Sequence, residues 1–269
     1  MTRVTVGLIY ERGNGTDIAR LYEISVGDYS IRTLVTASPS RAGSWLGAYT
    51  RDRQDREVGL DVEWRPNTEP NMQNPVATLQ LCVDHRCLVF QILHAPSIPR
   101  ALTSFLANPN NIFVGVGIQD YVHKLLRDHN LRVANFSDMG PLARDILHLR
   151  KPGLTNVAKE VLDLDYKKPH HITMSPWDSP FLTDEQLAGI GHAEVVVVGV
   201  GGEAVVHYAD SRSASKAARR FRQPLLSSCR VRGLAFGVSH VIMGAKEKLN
   251  RHRNGLVTLP FEKKNSCNN

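Results

Sequence analysis

The stretch Val58-Gly-Leu-Asp-Val-Glu-Trp64 places two carboxylates, Asp61 and Glu63, two positions apart inside an apolar run of β-prone residues. Side chains at positions i and i+2 of a strand point to the same face of a sheet. Two acids on one face need a neutralising cation or a hydrogen-bond network, because an uncompensated charge is costly to bury. The stretch therefore predicts a strand that carries a cation site, and a divalent metal is the first candidate.

Two further β-rich runs follow the acidic strand and predict an antiparallel meander. Residues 76–83 and 87–92 are mostly apolar, and the polar residues Asp84-His85-Arg86 separate them. A short polar segment between two such runs is typical of a hairpin turn. The loop of residues 65–75 contains three prolines, which cannot donate ladder hydrogen bonds, so it ends the acidic strand.

The remaining periodicity predicts an α/β domain in which helices flank a mixed sheet. Alternating apolar residues indicate strands, and apolar residues every three or four positions indicate helices. Strands are predicted near 3–10, 21–26, 30–36 and 110–117, and helices near 39–50, 99–106, 120–129, 136–149, 154–162 and from Thr183. This order of elements favours a mixed sheet with helices packed on it.

Length and composition are those of a folded, soluble domain. The chain has 269 residues, of which 42% are hydrophobic, so it can bury a sizeable core. It has no apolar run of ~18 residues, the length that a membrane-spanning helix needs, and no leader-like N-terminal pattern. We therefore expect an intracellular protein of the nucleus or cytoplasm, or both, without a membrane segment.

The cysteines allow two interpretations of one segment. Cys82 and Cys87 flank His85 at a spacing that could form a zinc knuckle, or they could lie on either side of a hairpin turn. No second ligand pair has a matching spacing, which favours the hairpin. Cys229 and Cys267 lie in the basic C-terminal part, a pattern unlike a disulfide framework, so reduced thiols are expected.

Basic residues are concentrated near the C-terminal end. The formal net charge is +7, whereas residues 211–269 contain 13 Lys+Arg and 2 Asp+Glu, a net charge of +11. The rest of the chain has 20 bases and 24 acids, a net charge of −4. Such a segment is either a solvated terminus or a site of phosphate contact, because clustered Lys and Arg release counterions on binding nucleic acid.

Four motifs lie in order within residues 20–187. They are Val58-Gly-Leu-Asp-Val-Glu-Trp-Arg-Pro66, Asn74-Pro-Val-Ala-Thr-Leu-Gln-Leu81, Phe113-Val-Gly-Val-Gly-Ile118, and Met174-Ser-Pro-Trp177 with Leu182-Thr-Asp-Glu-Gln186. Together they resemble the Werner-type 3′-5′ exonuclease domains, especially those of plants. The resemblance implies an RNase H-like fold. It divides the chain into an N-terminal extension (1–20), an exonuclease-like domain (21–221) that diverges after 187, and a basic tail (222–269).

The resemblance also implies a two-metal nuclease. In this family four acids, labelled DEDD, hold two Mg²⁺ or Mn²⁺ ions and act on the 3′ ends of DNA or RNA. One ion activates water and the other stabilises the leaving 3′ oxygen. Carried over residue by residue, Asp61 and Glu63 occupy the positions of the first two metal-binding acids.

The second acidic motif departs from the family pattern. The family places an aspartate three residues after Ile118, and in this chain that position is Tyr121. Asp120 lies one residue early, which on a helix is a rotation of ~100°, so it is a catalytic candidate out of register. A phenol with a pKa near ~10 is a poor Mg²⁺ ligand at neutral pH.

The third motif also departs from the pattern, and two alignments are open. The family follows Leu-Thr-x-Glu-Gln with a tyrosine and, four residues later, an aspartate, which an ungapped alignment places at Gly189 and Ala193. An insertion of about twenty residues would instead make Tyr208 and Asp210 the remnants of the motif. Their spacing of two differs from the family's four, so they would not share a helix face.

Two classes of function follow from these motifs. The first is a nucleic-acid-binding 3′-5′ exonuclease-like protein whose catalysis is weak or lost. The second is an inert relative that acts as a protein-interaction or regulatory module through its divergent C-terminus. The candidate nucleic-acid-binding residues are an aromatic and a set of basic residues, namely Trp64, Arg65, Arg212, Lys216, Arg219, Arg220 and Arg222.

Overall fold

The sheet and its helices are built from the segments that the structure, a computed structural model, describes: residues 2–50, 56–147, 149–150 and 153–193. The strands are β1 (Val4–Arg12), β2 (Ala19–Val26), β3 (Tyr29–Thr36), β4 (Arg56–Glu63), β5 (Thr78–Val83), β6 (Arg86–Phe90), β7 (Asn111–Gly115) and β8 (Phe136–Asp138). The helices are α1 (Pro39–Thr50), α2 (Arg100–Leu106), α3 (Ile118–His129), α4 (Met139–Leu147), α5 (Leu154–Leu162), α6 (His170–Thr173) and α7 (184–193).

All eight strands belong to one sheet, in the order β1-β2-β3-β6-β5-β4-β7-β8. Strands β4, β5 and β6 form an antiparallel meander, and β1, β2 and β3 form a second antiparallel set. The pairs β3–β6, β4–β7 and β7–β8 are parallel. The predicted mixed sheet, with its meander built on the acidic strand, is therefore confirmed.

The acidic strand β4 lies between β5 and β7, with apolar side chains on one face and acidic side chains on the other. Val58, Leu60 and Val62 are buried and belong to one core cluster. Asp61 and Glu63 alternate with them, so their side chains point to the opposite face. A one-residue shift in register would exchange the two sets, and the buried valines and leucine therefore determine where the acids point.

The two faces of the sheet are covered by different helices. On one face Leu46 of α1, Leu102 of α2 and Leu125 of α3 are buried in a common core cluster. On the other face Val157 of α5 and Leu187 of α7 are buried in a second cluster. No helix in the described part of the chain is long and apolar enough to cross a membrane.

The cysteine-containing segment is a hairpin, as the sequence favours. Strands β5 and β6 meet at a turn in which Asp84 has a positive φ of 54°. Cys82 and Cys87 are directly opposite each other across the ladder and are both buried, whereas His85 is exposed at the tip. The three side chains therefore do not converge, and the zinc-knuckle interpretation is not supported.

Three segments differ from the sequence-based division. Residues 1–20 were predicted as an extension, yet β1 pairs with β2 along its length and forms an edge of the sheet. The predicted helix over 136–149 is wrong at its start, since 136–138 form strand β8 and the helix begins at Met139. Helix α6 was not predicted, because a segment of four residues is too short to show periodicity. The predicted boundary at residue 221 and the basic tail, 222–269, lie outside the described residues.

Helix α7 packs closely on the sheet at Gly191, which makes a testable contrast with Gly43 of α1. A Cβ at position 191 would lie 2.4 Å from Ile24 Cγ2 and 3.1 Å from Ile24 Cβ, whereas at position 43 nothing lies within 4 Å. Gly191→Ala should lower the free energy of unfolding by about 1–2 kcal/mol, since overpacking outweighs the helix preference of alanine. Gly43→Ala should raise it by up to about 1 kcal/mol.

Urea unfolding of the two variants, followed by circular dichroism, measures both changes. Equal effects of the two substitutions would contradict the close packing of α7 on β2.

Candidate functional site

Asp61 and Glu63 lie at the carboxyl end of β4, and β5 borders them with neutral polar groups. Across the ladder Asp61 is opposite Gln80, and Glu63 is opposite Thr78. The Gln80 amide donates a hydrogen bond of 2.7 Å to the Thr78 hydroxyl. Gln80 Oε1 is buried and has no hydrogen-bond partner among the described residues. The β5 side therefore provides no positive charge to the acid pair.

Lys168, in the segment between α5 and α6, provides positive charge beside Glu63. Its Nζ donates a hydrogen bond to Glu63 Oε1 and lies 4.3 Å from the centre of the Trp177 ring. Burial raises the pKa of Glu63 to about 7, although the Lys168 charge lowers it, and the Asp61 charge raises it further. The Glu63 carboxylate is thus buried with only partial compensation.

Tyr121 and a backbone amide contact Asp61. The Val62 N–H donates to Asp61 Oδ1 at 2.8 Å, and the Tyr121 hydroxyl donates a second hydrogen bond. Burial raises the pKa of Asp61, and the Lys168 charge and the two hydrogen bonds oppose this rise without cancelling it. The Asp61 charge, followed by burial, raises the pKa of Tyr121, so the phenol stays protonated and donates.

The start of α3 brings Tyr121, and not Asp120, to the acid pair. Gly117 precedes the helix with a positive φ of 73°, a conformation that favours glycine. Asp120 is in the first turn and is exposed, with its N–H donating to the Gly117 carbonyl at 3.1 Å. The out-of-register candidate Asp120 therefore lies away from Asp61 and Glu63.

A capping box starts α7 and links it to the segment that carries Trp177. The Gln186 N–H donates to Thr183 Oγ1 at 3.2 Å, and the Thr183 N–H donates to Gln186 Oε1 at 2.9 Å. The Gln186 amide also donates to Ser175 Oγ at 2.9 Å. These bonds fix where α7 begins, and they therefore determine that Gly189 lies against Lys168 and Gly191 against Ile24 of β2.

Helix α7 runs unbroken through both positions of the ungapped alignment, Gly189 and Ala193. A Cβ at Gly189 would lie 3.2 Å from Lys168 Cε, so the lysine stem passes directly over this glycine. Ala193 is buried. Neither residue provides an acidic or phenolic oxygen. The alternative remnants, Tyr208 and Asp210, lie outside the described residues.

The aromatic and basic candidates near β4 have partners within the domain. Trp64 packs against the core, and Lys124 Nζ lies 4.8 Å from its ring centre. Arg65 Nε is 2.7 Å from Asp178 Oδ2. The other nucleic-acid-binding candidates lie outside the described residues, namely Arg212, Lys216, Arg219, Arg220 and Arg222.

Comparison with known families identifies the domain around this site. Residues 47–189 match a family model described as 3′-5′ exonuclease, and this is just over half of the chain. The chain belongs to the 3′-5′ exonuclease family. The resemblance to Werner-type exonuclease domains inferred from the motifs is thereby confirmed.

Two curated relatives agree with this family. The mouse bifunctional 3′-5′ exonuclease/ATP-dependent helicase WRN is 33% identical over 131 residues, which cover 48% of this chain and 9% of that protein. An Arabidopsis thaliana 3′-5′ exonuclease is 32% identical over 133 residues, which cover 48% of this chain and 46% of that protein. The match thus spans less than half the length of each relative.

Two solved structures share the fold of this family member. Escherichia coli RNase D, an exoribonuclease involved in structured RNA processing, matches with a TM-score of 0.58 at 14% identity, over 69% of this chain and 48% of that chain. The catalytic core of RRP6 from Trypanosoma brucei matches with a TM-score of 0.51 at 14% identity, over 65% of this chain and 49% of that chain. The predicted RNase H-like fold is therefore confirmed.

The groups around the acid pair do not fit the two-ion centre that the family resemblance implies. Mg²⁺ and Mn²⁺ prefer several hard oxygen ligands, with carboxylates compensating the ionic charge. Within the ranges that the structure describes, no three His, Cys, Asp or Glu side chains are grouped to hold a metal ion. Asp61 and Glu63 instead contact a phenol and an ammonium group, and Gln80 Oε1 would add an oxygen without charge.

Lys168 is the site residue that the sequence motifs did not single out. It is 105 positions from Glu63 in the chain and follows another lysine, Lys167. A pair of lysines next to a proline is typical of a solvated loop, so the local sequence does not indicate that Lys168, and not Lys167, contacts the acid pair. The signal lies in Gly189, because a glycine within a helix often marks a close approach by another group.

The acid pair should make stability depend on pH. The pKa of Glu63 is about 7 in the folded protein and 4.5 in the reference state, so the folded state binds the extra proton between these values. The free energy of unfolding should fall as the pH rises through this window, by up to ~1.4 kcal/mol per unit. Glu63→Gln should remove this part of the slope.

Urea unfolding at steps from about pH 5 to about pH 8 compares the two proteins. Buried His192, whose pKa burial lowers to about 4, contributes equally to both curves. The charges of Asp61 and Glu63 interact, so Glu63→Gln also changes the pKa of Asp61, and the difference in slope reports the acid pair. Parallel curves would show that Glu63 is ionised alike in both states.

Proposed function

We propose that this protein binds the 3′ ends of DNA or RNA and that its metal-dependent hydrolysis is weak or lost. Membership of the 3′-5′ exonuclease family supports the class of ligand. The observation that carries the second part is the contact between the Tyr121 hydroxyl and Asp61, at the position where the family places an aspartate. The proposed location is the nucleus, the cytoplasm or both.

The chemistry of the family explains why the rate of hydrolysis would be low. Each acidic ligand contributes both an oxygen and a negative charge to a centre that activates water and stabilises a leaving oxygen. The position of the third acid holds Tyr121, and in the ungapped alignment the position of the fourth holds Ala193. Binding of Mg²⁺ or Mn²⁺ is weakened in this proposal, because two ligands and two countercharges are missing.

Nucleic-acid contact is assigned to the basic C-terminal segment. Residues 211–269 carry a net charge of +11 from 13 Lys+Arg and 2 Asp+Glu, whereas the remainder carries −4. Arg65 and the ring of Trp64 are engaged within the domain, by Asp178 and Lys124. Attraction to phosphates would therefore come mainly from the tail, independently of base sequence.

Nuclease assays test the catalytic part of the proposal. Labelled 3′-recessed duplex DNA and single-stranded RNA are incubated with the protein in Mg²⁺ and in Mn²⁺. Because the metal ligands are incomplete, we expect shortening of the 3′ end to be absent or to need an excess of protein over substrate, and any that remains should be lost in Asp61→Ala/Glu63→Ala. Asp120→Asn, at an exposed acid that lies away from Asp61 and Glu63, serves as the matched control and should leave the result unchanged.

Fast, multiple-turnover shortening by the wild-type protein that the double substitution abolishes would establish an active exonuclease. The proposal of weak or lost hydrolysis would then be wrong.

The salt dependence of binding tests the assignment to the tail. Arg219→Gln/Arg220→Gln/Arg222→Gln should reduce the slope of log K against log salt for single-stranded nucleic acid by about 2, since each lost phosphate contact removes ~0.7. The control removes the same charge from three exposed residues of the described domain, Arg100, Arg132 and Lys159. Fluorescence anisotropy measures both slopes.

A similar loss of slope in both triple variants would indicate a general effect of net charge. An unchanged slope in the tail variant would remove the tail from the binding site.

A second candidate function is an inert interaction module, and an exposed apolar pair favours it. Leu8 and Ile9 on β1 are 56% and 48% exposed. Among the described strands β1 is at the edge of the sheet, where unpaired backbone groups can accept another strand. Absence of nucleic-acid binding, with a protein complex that Leu8→Lys disrupts, would favour this function over the first.

A further inference from the structure

We propose that Lys168 and Tyr121 take the place of divalent ions at the acid pair. Lys168 neutralises Glu63, Tyr121 donates a hydrogen bond to Asp61, and the site therefore excludes divalent cations. This inference rests on the proposed loss of hydrolysis and is independent of nucleic-acid binding. It assigns the acid pair a structural role that the family's chemistry does not require.

The first step concerns the position of the Lys168 ammonium. It contacts Glu63 Oε1 and lies 4.3 Å from the centre of the Trp177 ring. Trp177 is fully buried, so its ring is a fixed surface for the ammonium. A divalent ion bound to Glu63 would lie within a few ångströms of this charge and would be repelled by it.

The second step concerns the Asp61 carboxylate. Its Oδ1 accepts the Val62 N–H at 2.8 Å, and the Tyr121 hydroxyl donates a further hydrogen bond to the carboxylate. A phenol that donates to a carboxylate directs its hydrogen, and not a lone pair, at that oxygen. A metal ion would have to displace this hydrogen bond and would gain only a neutral oxygen in return.

The third step is the space that Gly189 leaves for Lys168. An added Cβ at this position would lie 3.2 Å from Lys168 Cε and 3.5 Å from Lys168 Cδ. A tyrosine, which the family pattern has at this place, would compete with the lysine stem for the same volume. Lys168 can therefore reach Glu63 along this path because Gly189, and not the family's tyrosine, is at this position.

A second lysine provides a matched control. Lys124 Nζ lies 2.7 Å from Asp128 Oδ2 and 4.8 Å from the Trp64 ring centre. This arrangement has the same three components as Lys168, Glu63 and Trp177. It joins α3 to Trp64 and, through a hydrogen bond from Lys124 Nζ to the Asn74 carbonyl, to the loop before β5, and it does not include Asp61 or Glu63. Removing its ammonium group therefore changes the charge and the stability without altering the acid pair.

Binding of Mn²⁺ to the full-length protein tests the inference. The wild-type protein should neither bind stoichiometric Mn²⁺ in a paramagnetic-resonance titration nor gain melting temperature with Mn²⁺. Lys168→Met/Tyr121→Asp removes the ammonium and adds a carboxylate. It should bind Mn²⁺ at least ~10-fold more tightly than the wild type and melt at a higher temperature in its presence. Lys124→Met should behave like the wild type.

Each other result has a defined meaning. Stoichiometric Mn²⁺ binding by the wild type that Asp61→Ala/Glu63→Ala abolishes would overturn the inference, and this comparison remains decisive if the Lys168 variant does not fold. A folded Lys168→Met/Tyr121→Asp variant that fails to bind Mn²⁺ would overturn the role given to these two residues. Nucleic-acid binding, measured in a chelator, separates failure of the proposed function from failure of this inference.

Discussion

Neutralising two buried carboxylates on a central strand is the constraint on which this face of the molecule depends. Asp61 and Glu63 cannot move to solvent without turning Val58, Leu60 and Val62 away from the core. Their charges must therefore be neutralised by groups that reach the end of β4. Burial outweighs every favourable contact that the described residues make, since the pKa of each acid is raised despite Lys168.

The side chains that contact the two acids, Tyr121 and Lys168, come from distant parts of the chain and are positioned by helices α3 and α7. Tyr121 reaches Asp61 because α3 begins directly after β7, at the edge where β4 also ends. Lys168 reaches Glu63 across Gly189, whose place is set by the capping box of Thr183 and Gln186. The positions of Tyr121 and Lys168 at the site thus depend on where α3 and α7 begin.

Part of this arrangement could be predicted from sequence, because it depends on local periodicity. The strand of Asp61 and Glu63 and the rotation that separates Asp120 from Tyr121 follow from the geometry of strands and helices. The contact of Lys168 could not be predicted, since it joins residues 105 positions apart and depends on how the lysine stem packs over Gly189 of α7. Short elements such as β8 carry too few residues for a periodic signal.

Comparison of two lysine–carboxylate pairs shows how the hydrogen-bond donors around a buried acid determine its pKa. Burial raises the pKa of Asp128, yet hydrogen bonds from Lys124, Arg127 and the Val76 N–H outweigh it, and the net pKa is lowered. Glu63 has Lys168 as its hydrogen-bond donor, and its net pKa is raised. Because burial outweighs the effect of Lys168, the charge of Glu63 is balanced partly by the lysine and partly by a bound proton.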